Sequence, residues 1–287
     1  MLIIENLNKS YGNNLILENI NLSFGKGVYA LVAPNGFGKT TLLSMMSTIM
    51  NPSGGDIKYN GKSIYKLGEK YRDILGYLPQ TIGYYENNTA VQNLLYVAAL
   101  KGIDKSTAKK RIDYMLEQFG LIESKDKKIR TFSGGMKQRI GIIGALLNDP
   151  QIILLDEPTA GLDPKERKNL KTILAHMGQE KLILVSTHII SDIEFLANQI
   201  IMLKDKSVFI NDTSENICNR IKGSIFENVV KAEDYLKFST KYMILDEQMQ
   251  ENGIKLRFYS NAKDDAKWQE VFPGLNDVFL VLYGKRK

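Results

Sequence analysis

Residues 28–41 read VYALVAPNGFGKTT and decide the fold. The first five residues form a short apolar run typical of a buried strand, and residues 42–50 have the apolar pattern of a helix. The segment between them matches the phosphate-binding pattern G-x-x-x-x-G-K-[ST], with Ala33 in place of the first glycine. Backbone N–H groups in such a loop surround phosphate oxygens at a helix N-terminus, where the helix dipole favours negative charge. The stretch therefore predicts a phosphate site between a strand and a helix.

The residue types in this loop predict what individual side chains bind. Lys39 is expected to reach the β- and γ-phosphates of a nucleotide, and the Thr40 hydroxyl is expected to bind Mg²⁺. Thr41 can add its N–H and hydroxyl to the α-phosphate. Ala33 adds only one methyl group, and both later glycines remain. The expected nucleotide-binding residues of the loop are Asn35, Gly36, Phe37, Gly38, Lys39, Thr40 and Thr41.

A second motif lies at residues 152–157, which read IILLDE. An apolar strand that ends in Asp-Glu places one carboxylate where it can hold Mg²⁺ and the next where it can polarise a water for attack on a phosphate. Asp156 is the expected Mg²⁺ residue, and Glu157 is the candidate general base. A strand that ends in an acidic turn is common, so this motif indicates a nucleotide site only together with the phosphate loop.

Apolar runs and helical patterns alternate through the first 210 residues, which indicates a parallel sheet with covering helices. Residues 2–9 and 15–24 alternate apolar and polar side chains and predict an N-terminal antiparallel layer. Two helices, residues 90–101 and 106–119, predict a helical insertion. The segments that follow are a helix at 134–147, a strand at 152–156, a helix at 164–177, a strand at 182–186 and a helix at 189–197.

The pattern changes after residue 211 and predicts a small α+β domain over residues 211–287. Residues 242–248 and 254–259 flank an Asn-Gly pair, which is typical of a hairpin. The other predicted elements are a short helix at 215–221, a strand at 224–230, a helix at 264–271 and a strand at 278–282.

Length and composition favour a folded chain of two domains. The 287 residues are 44% hydrophobic and 24% charged, which excludes wholesale disorder. No apolar run reaches the 18 residues of a spanning helix, and no secretory signal is visible, so a cytoplasmic location is expected. The single cysteine excludes an intramolecular disulfide, and two histidines without neighbouring cysteines argue against structural zinc.

The net charge of +6 comes from the first 210 residues, because residues 211–287 contain 12 basic and 12 acidic side chains. Residues 101–139 alone carry 11 basic against 5 acidic side chains. Such a stretch could face nucleic acid, anionic lipid or a phosphate ligand. Its charges are interleaved with acids and lack aromatic partners, so a solvated helix face is favoured and nucleic acid is disfavoured as a partner.

Residues 132–139 read FSGGMKQR and resemble the LSGGQ signature and following helix of ATP-binding cassette (ABC) ATPases. Other motifs resemble that family in the same order: YLPQ at 77–80 its Q-loop, AGLD at 160–163 its D-loop, and STH at 186–188 its switch histidine. Phe132 and Met136 depart from the signature, whereas its Ser-Gly-Gly core is intact. The resemblance covers about the first 210 residues and implies an α/β P-loop cassette: a parallel core sheet, an N-terminal antiparallel layer and a helical subdomain at about 86–147.

The resemblance also implies a mechanism, in which ATP is held between two cassettes arranged head to tail. Each phosphate loop would face the partner's signature, and closure would depend on the γ-phosphate. Gln80 would contact Mg²⁺ or the attacking water, and His188 would hydrogen-bond the γ-phosphate. The remaining residues given a role by the resemblance are Tyr11 against adenine, Ser133, Gly134 and Gly135 at the partner's γ-phosphate, and Asp163 coupling the two sites. Gln138 and Arg139 are expected to be interfacial or solvated residues without a catalytic role.

Within the family, the resemblance favours the ATP-binding subunit of a membrane exporter. Residues 86–102 and 273–280 resemble stretches of antibiotic, bacteriocin and drug exporters. This implies an antimicrobial peptide, antibiotic or lipid-like substrate, a separate membrane permease, a second ATPase subunit, identical or different, and a location on the inner face of the cell membrane. The alternative is a soluble ABC-type ATPase acting on nucleic acid or the ribosome. Chromosome ATPases need long heptad arms, and translation factors carry two cassettes on one chain, whereas this chain has one cassette with a short insertion.

Overall fold

The computed structural model describes residues 1–194 and 196–284. The chain divides into two compact units, Met1–Asn211 and a second unit that begins at Asp212. The strands are β1 (Leu2–Tyr11), β2 (Asn14–Phe24), β3 (Gly27–Val32), β4 (Gly54–Tyr59), β5 (Lys62–Ser63), β6 (Leu75–Leu78), β7 (Ile152–Asp156), β8 (Leu182–Thr187), β9 (Gln199–Lys204), β10 (Ser207–Asp212), β11 (Ile225–Val230), β12 (Met243–Gln250), β13 (Gly253–Tyr259) and β14 (Gln269–Glu270). The helices are α1 (Lys39–Met46), α2 (Ile64–Leu67), α3 (Glu69–Arg72), α4 (Ala90–Leu100), α5 (Lys105–Gln118), α6 (Gly134–Leu146), α7 (Pro164–Gly178), α8 (Ser214–Asn219), α9 (Tyr235–Lys241) and α10 (Leu275–Tyr283).

The first unit is built around a six-stranded sheet of order β10-β9-β3-β8-β7-β6. The pairs β9-β3, β3-β8, β8-β7 and β7-β6 are parallel. Every residue of β3, β7 and β8 is buried, as expected for parallel strands covered on both faces. A separate antiparallel sheet of order β2-β1-β4-β5 contains the N-terminal strands. This arrangement confirms the predicted fold class: a parallel core with an antiparallel N-terminal layer.

The register of the central strands positions the site. Val32 pairs with Thr187, and Asp156 pairs with Ser186, so β3, β7 and β8 end side by side at their carboxyl ends. Ligands of open parallel sheets bind outside these ends, because the loops that leave the strands converge there. The phosphate loop, the Asp-Glu pair and the segment carrying His188 therefore meet at one edge.

The helical insertion packs against the sheet through α6. Gly76 of β6 and Gly141 of α6 are required by close packing: a Cβ at Gly76 would overlap the Ala145 carbonyl, and a Cβ at Gly141 would overlap Ile82 and Leu78. The Tyr84 hydroxyl also donates to the Lys137 carbonyl of α6 at 2.6 Å. The segment that follows Gln80 is thus packed directly on the helix that begins at the signature.

One predicted helix in the first unit is wrong. Residues 189–197 were expected to be helical, but the described part contains a single 3₁₀ turn, Ile190–Asp192, and residue 195 lies outside the described residues. Asp192 is buried and lies 3.4 Å from Nη1 of Arg167 and 3.6 Å from Nζ of Lys171, both on α7. These ion pairs to another helix hold the segment in a turn that local apolar spacing does not reveal.

The second unit is a four-stranded antiparallel sheet of order β12-β13-β11-β14. The hairpin predicted around the Asn-Gly pair is confirmed as β12 and β13. One apolar cluster stabilises the sheet, and the indole of Trp268 is buried among the aromatic rings. The buried members of the cluster are Phe226, Val230, Leu256, Phe258 and Trp268, with Phe238 and Tyr242 packed against them.

Two predictions for the second unit are wrong. The helix expected at 264–271 is instead a loop followed by β14, because Trp268 is buried in the aromatic cluster while Gln269 pairs with Glu227 of β11. The strand expected at 278–282 is part of α10. Asp277 stabilises the first turn of this helix, since its Oδ2 accepts a hydrogen bond from the N–H of Gly274, the N-cap, at 2.7 Å. The second error arose from an apolar run too short to distinguish strand from helix, whereas residues 264–271 contain helix-compatible side chains that long-range contacts override.

Candidate active site

The phosphate loop owes its shape to two glycines with left-handed backbones. Gly36 has φ +86° and Gly38 has φ +90°, a conformation that residues with a Cβ rarely adopt. A Cβ on Gly38 would also lie 2.8 Å from Cδ2 of Leu17, whereas one on Gly36 would meet nothing within 4 Å. Gly38 therefore satisfies both a backbone and a packing requirement at the N-terminus of α1.

Lys39 is a nearly buried cation at the centre of the site. Its side chain is 6% exposed, and Nζ donates to the Ala33 carbonyl at 2.7 Å and lies 3.5 Å from Oε1 of Glu157. Burial lowers the pKa of Lys39, and the charge and hydrogen bond of Glu157 act in the opposite direction. A cation in this position attracts an anion, which would compensate its loss of hydration.

Glu157 is a buried carboxylate held between two basic groups. Its Oε1 lies 3.0 Å from Nδ1 of His188, and the imidazole is itself 47% exposed. The Glu157 backbone has φ +50°, which is uncommon outside glycine, and its N–H donates to the Ser186 hydroxyl at 3.1 Å. These contacts fix the carboxylate beside Lys39, where β7 ends.

Asp156 has the features of a cation ligand. The residue is 0% exposed, and its Oδ1 accepts a short hydrogen bond from the Ser186 hydroxyl. Its Oδ2 is buried and has no hydrogen-bond partner among the described residues. A buried, unsatisfied carboxylate oxygen is costly, and it suits a hard cation such as Mg²⁺, which prefers oxygen ligands. The residues present therefore fit the predicted metal.

A pocket of about 380 Å³ lies over the phosphate loop. Its lining is Ile16, Asn35, Gly36, Gly38, Lys39, Thr40, Thr41, Gln80 and Glu157. All but Ile16 were predicted from the sequence. Ile16 was missed because an apolar residue on β2 carries no chemical motif; its Cγ2 would lie 3.3 Å from a Cβ at Gly38, which shows how closely it packs on the loop.

Some predicted residues lie outside the lining of this pocket. Tyr11 is half-exposed; its hydroxyl donates to Sδ of Met50 at 3.2 Å, and Nζ of Lys9 lies 5.2 Å from its ring. Ser133, Gly134, Gly135 and Asp163 are not among the lining residues either. The signature residues of one chain thus do not contribute to the pocket over its own phosphate loop.

The signature begins α6. The Ser133 hydroxyl caps the helix by accepting from the Met136 N–H at 3.2 Å. A Cβ on Gly134 would meet nothing within 4 Å, whereas one on Gly135 would lie 2.7 Å from the Gly161 carbonyl. Gly135 is therefore required by a close contact within the chain, and Gly134 faces open space.

Three polar residues make contacts in or near the site that the sequence did not indicate. Ser186 is buried and connects Asp156 to the Glu157 backbone. Gln138 donates to the Glu157 carbonyl at 3.2 Å, and Arg139 forms an ion pair with Glu166 at 2.6 Å. Both side chains are part-buried and contact other elements of their own chain, and the expectation that they are interfacial or solvated without a catalytic role stays a prediction. Nothing in their local pattern distinguishes them from surface residues.

A parallel sheet with this phosphate loop, a buried Asp-Glu pair and a separate signature helix defines an ATP-binding cassette ATPase. Residues 17–160 match the ABC transporter family, and the chain belongs to that family. The cassette binds ATP and hydrolyses it. The sequence prediction of an ABC ATPase is thereby confirmed. Among the described residues, no helix is both long and apolar enough to cross a membrane.

Curated relatives include three transport and resistance proteins. The chain is 36% identical over 225 residues to the linearmycin resistance ATP-binding protein LnrL of Bacillus subtilis, covering 78% of this chain and 72% of the relative. It is 31% identical over 270 residues to the bacitracin transport ATP-binding protein BcrA of Bacillus licheniformis, covering 93% and 87%. It is 36% identical over 224 residues to the lantibiotic transport ATP-binding protein SrtF of Streptococcus pyogenes, covering 76% and 94%.

Solved structures show the same cassette. An ATP-binding subunit of an ABC transporter has a TM-score of 0.70 at 28% identity, covering 77% of this chain and 92% of the other. A dimeric bacterial ABC transporter cassette has a TM-score of 0.69 at 28% identity, covering 74% and 98%. A dimeric post-hydrolysis cassette bound to ADP and phosphate has a TM-score of 0.67 at 28% identity, covering 74% and 98%.

Proposed function

We propose that this chain is the ATP-hydrolysing subunit of a membrane exporter and that it works as a head-to-tail dimer closed by ATP. In this proposal residues 1–210 are the ATPase domain, with a helical subdomain at about 86–147, and residues 211–287 are an accessory domain. One observation carries the dimer: the pocket over the phosphate loop is lined without any signature residue, while Gly134 is open. A second cassette is needed to bring a signature to the nucleotide.

Within each pocket, geometry, residue type and the family resemblance support the following roles. Lys39 binds the β- and γ-phosphates, and Glu157 takes the proton of the attacking water. Asp156 and Thr40 hold Mg²⁺, with Gln80 at the metal or at the water. When bound there, Mg²⁺ would supply positive charge against the charge that develops on the phosphate oxygens.

His188 moves from Glu157 toward the γ-phosphate when ATP is bound. The remaining residues act at the rim or across the interface: Tyr11 at the adenine, Ser133, Gly134 and Gly135 at the partner's γ-phosphate, and Asp163 between the two sites.

The partners are a second ABC ATPase subunit, identical or different, and an integral membrane permease that holds the chain at the cytoplasmic face of the membrane. Support comes from dimeric cassettes among the structural neighbours and from transport proteins among the relatives. Those relatives favour export over an ATPase acting on nucleic acid or the ribosome. The substrate class in this proposal is an antimicrobial peptide, an antibiotic or a lipid-like compound.

The dimer is tested by measuring mass in solution. Light scattering after gel filtration is applied to the Glu157→Gln protein with and without Mg²⁺ and ATP, and we expect the mass to double with ATP. Persistent monomer with bound ATP would contradict a symmetric pair of these chains. Exporter function is tested by expressing the chain with its permease in a sensitive host. Protection against bacitracin, a lantibiotic or linearmycin is expected with the native chain and not with the Glu157→Gln chain.

A further inference from the structure

Arg139 of the signature helix and Glu166 of the helix that follows the D-loop form a close ion pair. Nη2 of Arg139 lies 2.6 Å from Oε1 of Glu166, and the side chains are 14% and 20% exposed. In contrast, the ion pair of Lys125 with Asp113 in the same helical insertion is longer, 3.2 Å, and much more exposed. The Arg139–Glu166 ion pair is therefore shielded from water. Away from water, the energy of an ionic contact depends more strongly on its geometry.

The Arg139 guanidinium also donates two hydrogen bonds to backbone carbonyls. Nη1 donates to the Phe119 carbonyl, just after α5, at 2.8 Å, and Nε donates to the Gly135 carbonyl at 3.4 Å. The planar guanidinium presents several donors in a fixed arrangement, so these contacts fix its direction. Arg139 thus connects the first turn of α6 to the end of α5 and to α7.

Glu166 also takes part in the N-terminal cap of α7. Its Oε2 accepts from the Asp163 N–H at 3.2 Å, and Oδ1 of Asp163 accepts from the Glu166 N–H at 2.8 Å. This reciprocal pair is a capping box, which fixes the Asp163 side chain and the entry of the D-loop into the helix. One carboxylate therefore joins Arg139 to the residue expected to couple the two ATP sites.

Backbone packing draws the same two segments together. A Cβ on Gly135 would lie 2.7 Å from the Gly161 carbonyl and 3.0 Å from Oε2 of Glu166. Gly161 itself has φ +74°. The signature and the D-loop are consequently in direct contact within one chain, with the ion pair beside that contact.

We infer that the Arg139–Glu166 pair is a positioning element that fixes the signature and the D-loop of one chain as a single surface for the partner's nucleotide. The inference rests on the proposed head-to-tail dimer and adds a requirement to it. Ion pairs away from water contribute little net stability compared with apolar replacements, but removing one partner leaves the other uncompensated. Loss of the pair should therefore misplace Ser133 and Asp163 while leaving the pocket over the same chain's phosphate loop intact.

The test uses full-length protein carrying Glu157→Gln, to which Arg139→Gln, Glu166→Gln or both are added. Glutamine at position 166 can still serve the capping box, so that variant removes the ion pair alone. We expect each single change to weaken ATP-dependent dimerisation about ten-fold and the double change to add little, as for coupled residues. The affinity of the monomer for a fluorescent ATP analogue should not change. Lys125→Gln is the matched control and should leave dimerisation unchanged.

The possible results separate failure of the inference from failure of the proposed dimer. Dimerisation as tight in both single variants as in the Glu157→Gln parent would overturn the inference and leave the dimer standing. Additive losses in the double variant would also overturn it, because independent contacts add. A parent that stays monomeric with bound ATP would overturn the dimer and the inference together. If Arg139→Gln prevents folding, dimerisation of the Glu166→Gln protein tests the inference. Its thermal melting curve shows whether that variant is folded.

Discussion

The Oε1 atom of Glu157 lies 3.0 Å from Nδ1 of His188, so the candidate base and the candidate switch histidine contact each other directly. The same oxygen lies 3.5 Å from Nζ of Lys39. A γ-phosphate would offer both basic groups another acceptor and would free Glu157 to orient a water. The nucleotide itself would thus convert the carboxylate from an ion-pair partner into a base.

Replacing Glu157 with glutamine should strongly reduce turnover and preserve ATP binding. Glutamine is similar in shape but cannot accept the proton of the attacking water, so kcat should fall by about 10²–10⁴-fold, as expected for loss of a general base. Steady-state phosphate release and binding of a fluorescent ATP analogue measure the two properties. Glu180→Gln, an exposed glutamate beyond α7, is the control. Retained hydrolysis in the Glu157→Gln protein would remove Glu157 as the base.

Replacing Lys39 with alanine should weaken nucleotide binding. Its ammonium group is nearly buried beside the phosphate loop, and hydrogen bonds from a charged donor to phosphate are strong, so a loss of about 10- to 100-fold is expected. Equilibrium titration with a fluorescent ATP analogue measures the change. Lys26→Ala, at an exposed lysine in the same unit, should bind as the native chain does. Unchanged affinity of the Lys39→Ala protein would contradict the phosphate-loop assignment.

Replacing Ser186 with alanine should raise the Mg²⁺ concentration needed for hydrolysis by about 10- to 100-fold, the usual effect of losing a group that orients a metal ligand. The Ser186 hydroxyl donates to Asp156 and accepts from the Glu157 N–H, so its loss removes the hydrogen bond that orients Asp156 and leaves the Glu157 N–H only the Ser186 carbonyl at 3.2 Å. Titration of ATPase activity with Mg²⁺ measures the effect, with exposed Ser23→Ala as the control. An unchanged Mg²⁺ requirement would show that Ser186 does not act on the metal ligand.

The second unit should lose stability in acid. The hydrogen bond from Lys255 is the largest cause that lowers the pKa of Glu227 below its ordinary value of 4.5, and Arg257 adds to it. A depressed pKa in the folded state means that the ionised carboxylate stabilises the fold above pH 4.5 and that this contribution disappears as the pH falls through the lower, folded value.

Trp268, the single tryptophan, reports this unit because its indole is buried in the aromatic cluster. Melting followed by tryptophan fluorescence should show a midpoint that falls as the pH drops below 4.5. The Glu227→Gln protein should show a smaller fall over the same range. Equal pH dependence in the two proteins would mean that Glu227 is not responsible.

Much of the first unit could be predicted from local sequence. The phosphate loop, the Asp-Glu strand end and the signature are short segments whose residues act through backbone shape or through their own functional groups. Fully apolar strands such as β7 and β8 identify a parallel core in the same way. Seven of the pocket's lining residues were predicted on this basis, because each belongs to the phosphate loop or to the Asp-Glu strand end, and Gln80 was predicted from the family resemblance.

The second unit shows where local pattern fails. Residues 264–271 contain helix-compatible side chains, yet burial of Trp268 and pairing of Gln269 with Glu227 determine a loop and a strand. The apolar run 278–282 suits either a strand or a helix, and the contact of Asp277 with the Gly274 N–H begins a helix there. Long-range packing outweighed local preference in the first segment, whereas in the second a local capping contact determined the helix.

The sequence by itself determined the class of protein, the parallel core and the chemical groups at the nucleotide, because these depend on contiguous motifs. The tertiary structure decided which residues connect those motifs. Ser186 bridges Asp156 and Glu157, and Arg139 reaches Glu166, although the pairs are separated by 27 to 30 positions in the chain. Their contacts arise only when β7, β8, α6 and α7 pack together, since a hydrogen bond requires atoms within about 3 Å and local spacing carries no such information.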